Sequence, residues 1–267
     1  MRQGFYKIVF HHIFLGITAM LMMKQTLVMD AVSNFDPLKY LIVFLSTIII
    51  YQTASSGIRF PFTPTRVHRN KFWIVIMIVA SLVLISIIFK TLSHREIFLL
   101  LCLLISCFAY FISIGTWQGL RALPGVKGTM LAFAWAMVTV AFPLINQWKG
   151  STDFNLLLQR FLFMLAICII YNLRDVDADR KHGVVTIASI AGEGKTKMIS
   201  GFCLLLFVIS FLLHEHKNYS ITPLIWSAAI TAVAISKAKI NGNVFYYRYI
   251  IDGCMMLQSI LVMGFAI

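Results

Sequence analysis

The sequence predicts an all-α fold, a polytopic membrane bundle of about nine transmembrane helices. Three observations predict it. Hydrophobic residues make up 60% of the 267 positions, whereas soluble domains run closer to about 45–50%. Charged residues are only 12%, about half the usual share, and the mean hydropathy is +0.85. Apolar runs of about 20 residues, the length that crosses a bilayer core, recur along the chain, each bounded by charges, Pro or Gly.

Taken in order, the runs place helices at 8–29, 39–58, 71–90, 97–115, 127–146, 154–173, 197–213, 221–237 and 245–266. The first follows a basic start, MRQGFYK, with no small-x-small cleavage site behind it, and reads as a retained helix rather than a signal peptide. It holds His11, His12 and Lys24; the adjacent histidines face different ways, a poor metal pair, and read as packing or interface residues. The second to fifth helices are apolar runs closed off by Gly57, Lys90, Gly115 and Lys149. The sixth contains Arg160, expected to snorkel outward, and ends in the most acidic stretch of the chain. The seventh follows Gly194-Lys195-Thr196. That triplet is not a phosphate-binding loop, because Ser189 stands where the glycine is needed and no strand precedes it. Gly192 is expected to break the chain there and Thr196 to cap the helix. The eighth is short. The ninth holds Asp252, which costs about 2.5–3.5 kcal/mol on insertion scales; it should face the bundle interior, with Arg248 one turn earlier as its partner.

The longest polar segment, 174–197, is too short for a core of its own, so one transmembrane domain spans 1–267. The net charge of +13 would suggest nucleic acid in a soluble protein, but no nucleic-acid motif is present. With the N-terminus inside, most lysines and arginines fall in the 2–3, 4–5, 6–7 and 8–9 loops, which puts those loops in the cytoplasm against anionic lipid of an inner or plasma membrane. The five cysteines, Cys102, Cys107, Cys168, Cys203 and Cys254, lie in apolar stretches without metal-site spacing and read as small core residues. The tryptophans Trp73, Trp135 and Trp148 suit interfacial belts or bundle contacts.

Three of the ten acidic residues fall within 175–179 of NLRDVDADRKHGVVT. Asp175 and Asp179 are four apart and share a helix face, with Asp177 turned away. Like charges at that spacing repel by roughly a few tenths of a kcal/mol, and a divalent cation removes the repulsion. Mg²⁺ commonly takes one or two carboxylates together with substrate phosphates. The pair therefore suggests a Mg²⁺–diphosphate clamp, with Arg174, Arg180 and Lys181 able to hold phosphate. The plainer reading is a solvated loop whose charges pair with one another.

The stretch resembles the second aspartate-rich motif of the UbiA superfamily of intramembrane prenyltransferases, carried by Asn172, Asp175, Asp179, Gly183, Thr186 and Ala188. The resemblance implies a UbiA-like nine-helix fold. It also implies transfer of a prenyl group from a polyprenyl diphosphate to a small lipophilic acceptor, aromatic or quinone-precursor. Asp175 and Asp179 would be the catalytic, Mg²⁺-holding residues, and Asn172, Arg174, Lys181, Arg121, Lys127 and Arg59 would bind substrate. The family's aromatic–lysine pair in the 4–5 loop corresponds to Trp117 and Arg121. The family's first motif, expected after the second helix, is not matched. The stretch YQTASSGIRFPFTPTRVHRNK (51–71) has no acid; Gln52 or Ser55 stands for its asparagine, and Arg59, Arg66 and Arg69 stand where acids would be. Three explanations remain open: the arginines bind diphosphate directly, one metal suffices, or the chain is a non-catalytic relative that binds isoprenoid or lipid or serves as a partner subunit. A transporter is a further reading, with Arg160 and Asp252 as its hints.

Overall fold

The computed structural model describes residues 2–32, 35–55, 71–111, 120–181, 183–213 and 220–265, and among them every regular element is helical. Nine helices appear among the described residues, in the order expected. They are α1 (Arg2–Met29), α2 (Leu38–Ser55), α3 (Lys71–Thr91), α4 (His94–Phe111), α5 (Val126–Gln147), α6 (Ser151–Lys181), α7 (Ile187–Leu212), α8 (Thr222–Lys237) and α9 (246–264). Ile8–Met29, α5, α6 and α7 are long and apolar enough to cross a membrane. The chain divides into two compact units, Met1–Met20 with Asn34–Gly119, and Leu21–Ser33 with Leu120–Ile267.

In the first unit, α2 packs on α3. A Cβ at Gly16 of α1 would come within 2.8 Å of the Phe44 ring, so only glycine lets α1 and α2 lie this close. The imidazole of His12 hydrogen-bonds Gln52 Oε1 at 2.9 Å (Nδ1 to Oε1), and both residues are buried. His11 and His12 are thus packed, as their adjacency implied. α2 opens on Asp36, whose Oδ1 accepts from the Leu38 N–H at 2.9 Å. α4 opens three residues earlier than the apolar run suggests, because Ser93 and Glu96 form a capping box. Glu96 Oε2 accepts from the Ser93 N–H at 2.8 Å, and Ser93 Oγ accepts from the Glu96 N–H at 3.4 Å. Lys39 pairs with the other Glu96 oxygen. Burial alone would raise the Glu96 pKa, but Lys39 and the Ser93 donors outweigh it and hold the carboxyl below its usual range. Cys102 is exposed on α4, not in the core as expected.

In the second unit, α6 is the centre, with α5 and α7 packed along it. Between membrane helices the hydrophobic effect gives little drive, so small residues that let backbones approach, and hydrogen bonds across helices, matter more. Ala132 and Ala136 of α5 and Ala166 of α6 are fully buried. Ser200 of α7 donates to the Ala166 carbonyl at 2.7 Å, and Phe163 stacks obliquely on Phe207 with centroids 5.3 Å apart. Trp135 is buried, a bundle contact rather than a belt residue. α5 widens to a π turn over Met137–Ala141 just ahead of Pro143. The proline has no N–H to give and its ring crowds the carbonyl four residues back, which the wider turn relieves.

Two expectations are corrected in this unit. Arg160 does not snorkel. It is buried, and its Nη2 donates to the Met22 carbonyl and to Thr26 Oγ1, both at 3.3 Å. The sequence of α6 alone could not reveal the acceptors that α1 supplies. Thr196 does not cap α7. It donates to the Gly192 carbonyl at 2.6 Å, and the cap is Thr186, in a reciprocal box with Ser189. Gly192 does break the helix, with φ 74° and ψ 179°, so the long run from 193 is preceded by one short capped turn. Arg248 lies in the π turn Tyr246–Ile251 of α9, directly ahead of Asp252. Arg248 Nε is buried with no hydrogen-bond partner among the described residues. Asp252 is buried, within electrostatic reach of Tyr171 and Cys168 on α6.

Candidate functional site

The apolar run of α6 ends at Tyr171. The backbone then tightens into a 3₁₀ turn over Asn172–Asp175 and relaxes again over Val176–Lys181. This places Asp175 and Asp179 on the side that meets Lys127, in the first turn of α5. Lys127 Nζ donates to both oxygens of Asp179, at 2.8 and 2.7 Å, and lies 3.7 Å from Asp175 Oδ2. The two carboxylates thus converge on one cation position, as their i,i+4 spacing suggested. α5 and α6 approach closely beside it: a Cβ at Gly128 would already be 3.4 Å from the Asn172 amide nitrogen and 3.6 Å from the Cys168 backbone.

Arg174 covers Asp175. Its Nε and Nη2 donate to the two carboxylate oxygens, each at 2.7 Å, a planar fork against a planar acceptor. Its Nη1 donates to the Tyr171 hydroxyl at 2.7 Å, and the guanidinium lies 4.3 Å from the Tyr171 ring centroid. Four charges, two of each sign, therefore sum to zero. Asp179 is the most enclosed, its side chain 10% exposed, while Lys127 is 22% exposed, so the cluster is reached from outside through Lys127, Arg174 and Asp175.

Asp177 points away, as expected, and is held elsewhere. Its Oδ2 accepts from Asn241 Nδ2 at 2.6 Å, and the Asn241 N–H donates to the Leu173 carbonyl at 2.9 Å. The loop between α8 and α9 is thereby strapped to the 3₁₀ turn by one residue, which itself sits at φ 51°. Asn241 and Tyr171 are site residues that the sequence reading passed over. The Asn241-Gly242 turn, in a loop expected on the same side as the aspartates, was the signal for the first.

The rest of the motif has a structural reason. Gly183 takes φ 66° at the position after the cap, where the N–H of Gly183 reaches the Arg180 carbonyl and that of Val184 reaches the Asp179 carbonyl. That is a Schellman end, which favours glycine. Thr186 caps α7, and Ala188 is buried under it. The other expected binders are less central. Lys181 is exposed on the last turn of α6, and Arg180 donates to the Ser189 carbonyl at 3.3 Å. Arg121 lies in the 3₁₀ turn Leu120–Ala122, with its side chain outside the described residues. Arg59, Arg66, Arg69, Trp117 and the side chain of Ser55 lie outside them too, while Gln52 is engaged with His12.

The donor set suits a hard cation in one respect: two carboxylates already share a cation position, and Mg²⁺ commonly uses one or two. Among the described residues no group of three or more His, Cys, Asp or Glu side chains gathers in metal-binding reach. No family model, curated protein or solved structure matches the chain.

Proposed function

We propose that the chain is a multi-pass, UbiA-like prenyltransferase, moving a prenyl group from a polyprenyl diphosphate to a small lipophilic acceptor, with its site loops on the cytoplasmic face. The observation that carries this reading is the convergence of Asp175 and Asp179 on the place filled by Lys127 Nζ. Asp175 and Asp179 would be the Mg²⁺ ligands. Bound Mg²⁺ supplies charge neutralisation on a departing diphosphate. With a metal on the aspartates, Lys127 and Arg174 would be free to donate N–H groups to phosphate oxygens. Lys181 and Arg121 are candidates for further phosphate contacts. Asn172, buried beside Gly128, fixes the spacing of α5 and α6 under the cluster.

Charge arithmetic shapes the mechanism. With both acids and both cations in place the cluster is neutral, so a free divalent ion would raise it to +2, whereas a metal–diphosphate pair brings net negative charge that the freed lysine and arginine meet. Metal and diphosphate should therefore bind together. A second reading has its own support: every oxygen of both aspartates already accepts from the chain's own cations, and 51–71 supplies no further acid. That reading is a non-catalytic relative that binds isoprenoid or lipid. Binding of labelled geranylgeranyl diphosphate to the purified protein, with and without Mg²⁺, separates the two. Mg²⁺-dependent binding lost in Asp175→Asn/Asp179→Asn supports the prenyltransferase; metal-independent binding that survives the double change supports capture by arginine and lysine alone. No binding counts against both.

A further inference from the structure

Asn241, in the loop between α8 and α9, holds the turn that carries Asp175 on both sides of that residue. Its N–H donates to the Leu173 carbonyl at 2.9 Å, and its Nδ2 donates to Asp177 Oδ2 at 2.6 Å. Leu173 and Asp177 stand two residues before and two after Asp175. Between these two bonds the 3₁₀ turn Asn172–Asp175 gives way to the α turns of Val176–Lys181. A 3₁₀ helix has about 3.0 residues per turn against about 3.6 in an α-helix, so the place of the changeover sets the direction in which Asp175 and Asp179 point. The hydrogen bonds of a 3₁₀ turn are also poorer than those of an α-helix, so the stretch gains from support outside its own helix.

The loop is fixed independently of that turn. The Gly242 N–H donates to the Lys239 carbonyl at 3.0 Å, and a Cβ at Gly242 would come within 2.9 Å of the same oxygen. The Tyr247 hydroxyl donates to that carbonyl at 2.6 Å, and Tyr247 is fully buried. Glu193 Oε2, on α7, accepts from the Ile240 N–H at 3.0 Å. Asn241 itself takes φ 51°, a left-handed conformation that asparagine adopts more readily than most residues. The loop is thus a frame anchored on α7 and α9 that reaches the 3₁₀ turn through Asn241. We infer that Asn241 is a positioning residue for the cation position of Asp175 and Asp179: from the α8–α9 frame it fixes the 3₁₀-to-α changeover that lets both carboxylates meet one cation. The metal–diphosphate readout of this inference rests on the prenyl-transfer reading.

The test measures Mn²⁺ binding by electron paramagnetic resonance to the full chain in detergent, with inorganic diphosphate, well below the unfolding temperature of each variant. Asn241→Gly keeps the left-handed backbone and deletes the amide, and should weaken binding about threefold. Asn241→Asp sets two carboxylates against each other and should weaken it about tenfold, because like-charge repulsion joins the lost bond. Asn241→Asp with Asp177→Asn exchanges donor and acceptor at unchanged net charge, and binding should return to within about twofold of the parent. Unaltered binding in Asn241→Gly, or no rescue by the exchange, would overturn the inference and leave the prenyl-transfer reading standing. If the parent binds no Mn²⁺, that reading fails and thermal unfolding decides the inference. Lys127→Met should then lower the unfolding temperature less in Asn241→Gly than in the parent, because the strap that brings Asp179 to Lys127 is already cut; equal shifts would overturn it.

Discussion

At one end of α6 two aspartates meet two cations; at the other, two aspartates share one lysine, one through its ammonium and one through its backbone N–H. Lys127 and Arg174 between them reach all four oxygens of Asp175 and Asp179. At the start of the helix, Lys149 Nζ donates to Asp30 Oδ1 at 2.7 Å and to its carbonyl at 3.1 Å, while the Lys149 backbone N–H donates to Asp153 Oδ2 at 2.6 Å. Asp30 and Asp153 are buried, yet among the described residues Asp30 Oδ2 and Asp153 Oδ1 have no hydrogen-bond partner. The first cluster is balanced. In the second, among the described residues, the paired cation is Lys149, itself 52% exposed, and it ties the end of α1 to the start of α6. Acid content alone does not distinguish a candidate site from a structural tie; the count of cations does.

The largest expected effect tests that count. Lys149→Met leaves buried Asp30 with no cation among the described residues, while the residue-149 N–H to Asp153 stays, and should destabilise the protein by about 3 kcal/mol, read as thermal unfolding in detergent. Lys127→Met leaves Asp179 unpaired but keeps Arg174 on Asp175, so its loss should be smaller, about 2 kcal/mol. Adding Asp179→Asn should restore most of it, because a neutral amide needs no cation; strict additivity of the two changes would contradict the pairing. If Lys149→Met is the milder of the two lysine variants, the comparison is wrong.

Glu96 is the reference case, a carboxylate with one cation and two Ser93 donors. Its folded pKa is lowered, so its contribution is full above the unfolded value of about 4.3 and is lost as pH falls through the folded value. Glu96→Gln should cost about 1.5 kcal/mol at pH 7, and the gap from the parent should close on acidification below about pH 4. A gap independent of pH would place its origin in packing. The smallest effect is expected for Asp153→Asn: it removes a buried charge that lacks one partner while keeping an acceptor for the Lys149 N–H, so stability should move by less than about 1 kcal/mol. A loss comparable to Lys127→Met would show that Asp153 is better satisfied than its hydrogen bonds indicate.

What the sequence made legible follows the range of each interaction. The helices and their order came from apolar runs, and Asp175 and Asp179 from a spacing within one turn. Gly183 and Thr186 were read as parts of a motif, but their work is to end α6 and start α7, which leaves the aspartates and their cations as the chemical content of the stretch. The Ser93–Glu96 box is a local signal hidden because the apolar run begins only after it. The contacts that decide charge balance were out of reach. Lys127 is 52 residues from Asp179 and Lys149 is 119 from Asp30, and Arg160 finds its acceptors on α1 across 138 and 134 residues. No periodicity encodes such pairs.

If the proposed function holds, the neutral cluster at Lys127, Arg174, Asp175 and Asp179 takes a metal only together with a diphosphate. Electron paramagnetic resonance of Mn²⁺, standing in for Mg²⁺, measures this directly on the purified protein, with and without inorganic diphosphate, against matched samples lacking protein. Protein-bound Mn²⁺ is expected only when diphosphate is present, and none in Asp175→Asn/Asp179→Asn. Equally tight Mn²⁺ binding without diphosphate, or binding that survives the double change, would contradict it.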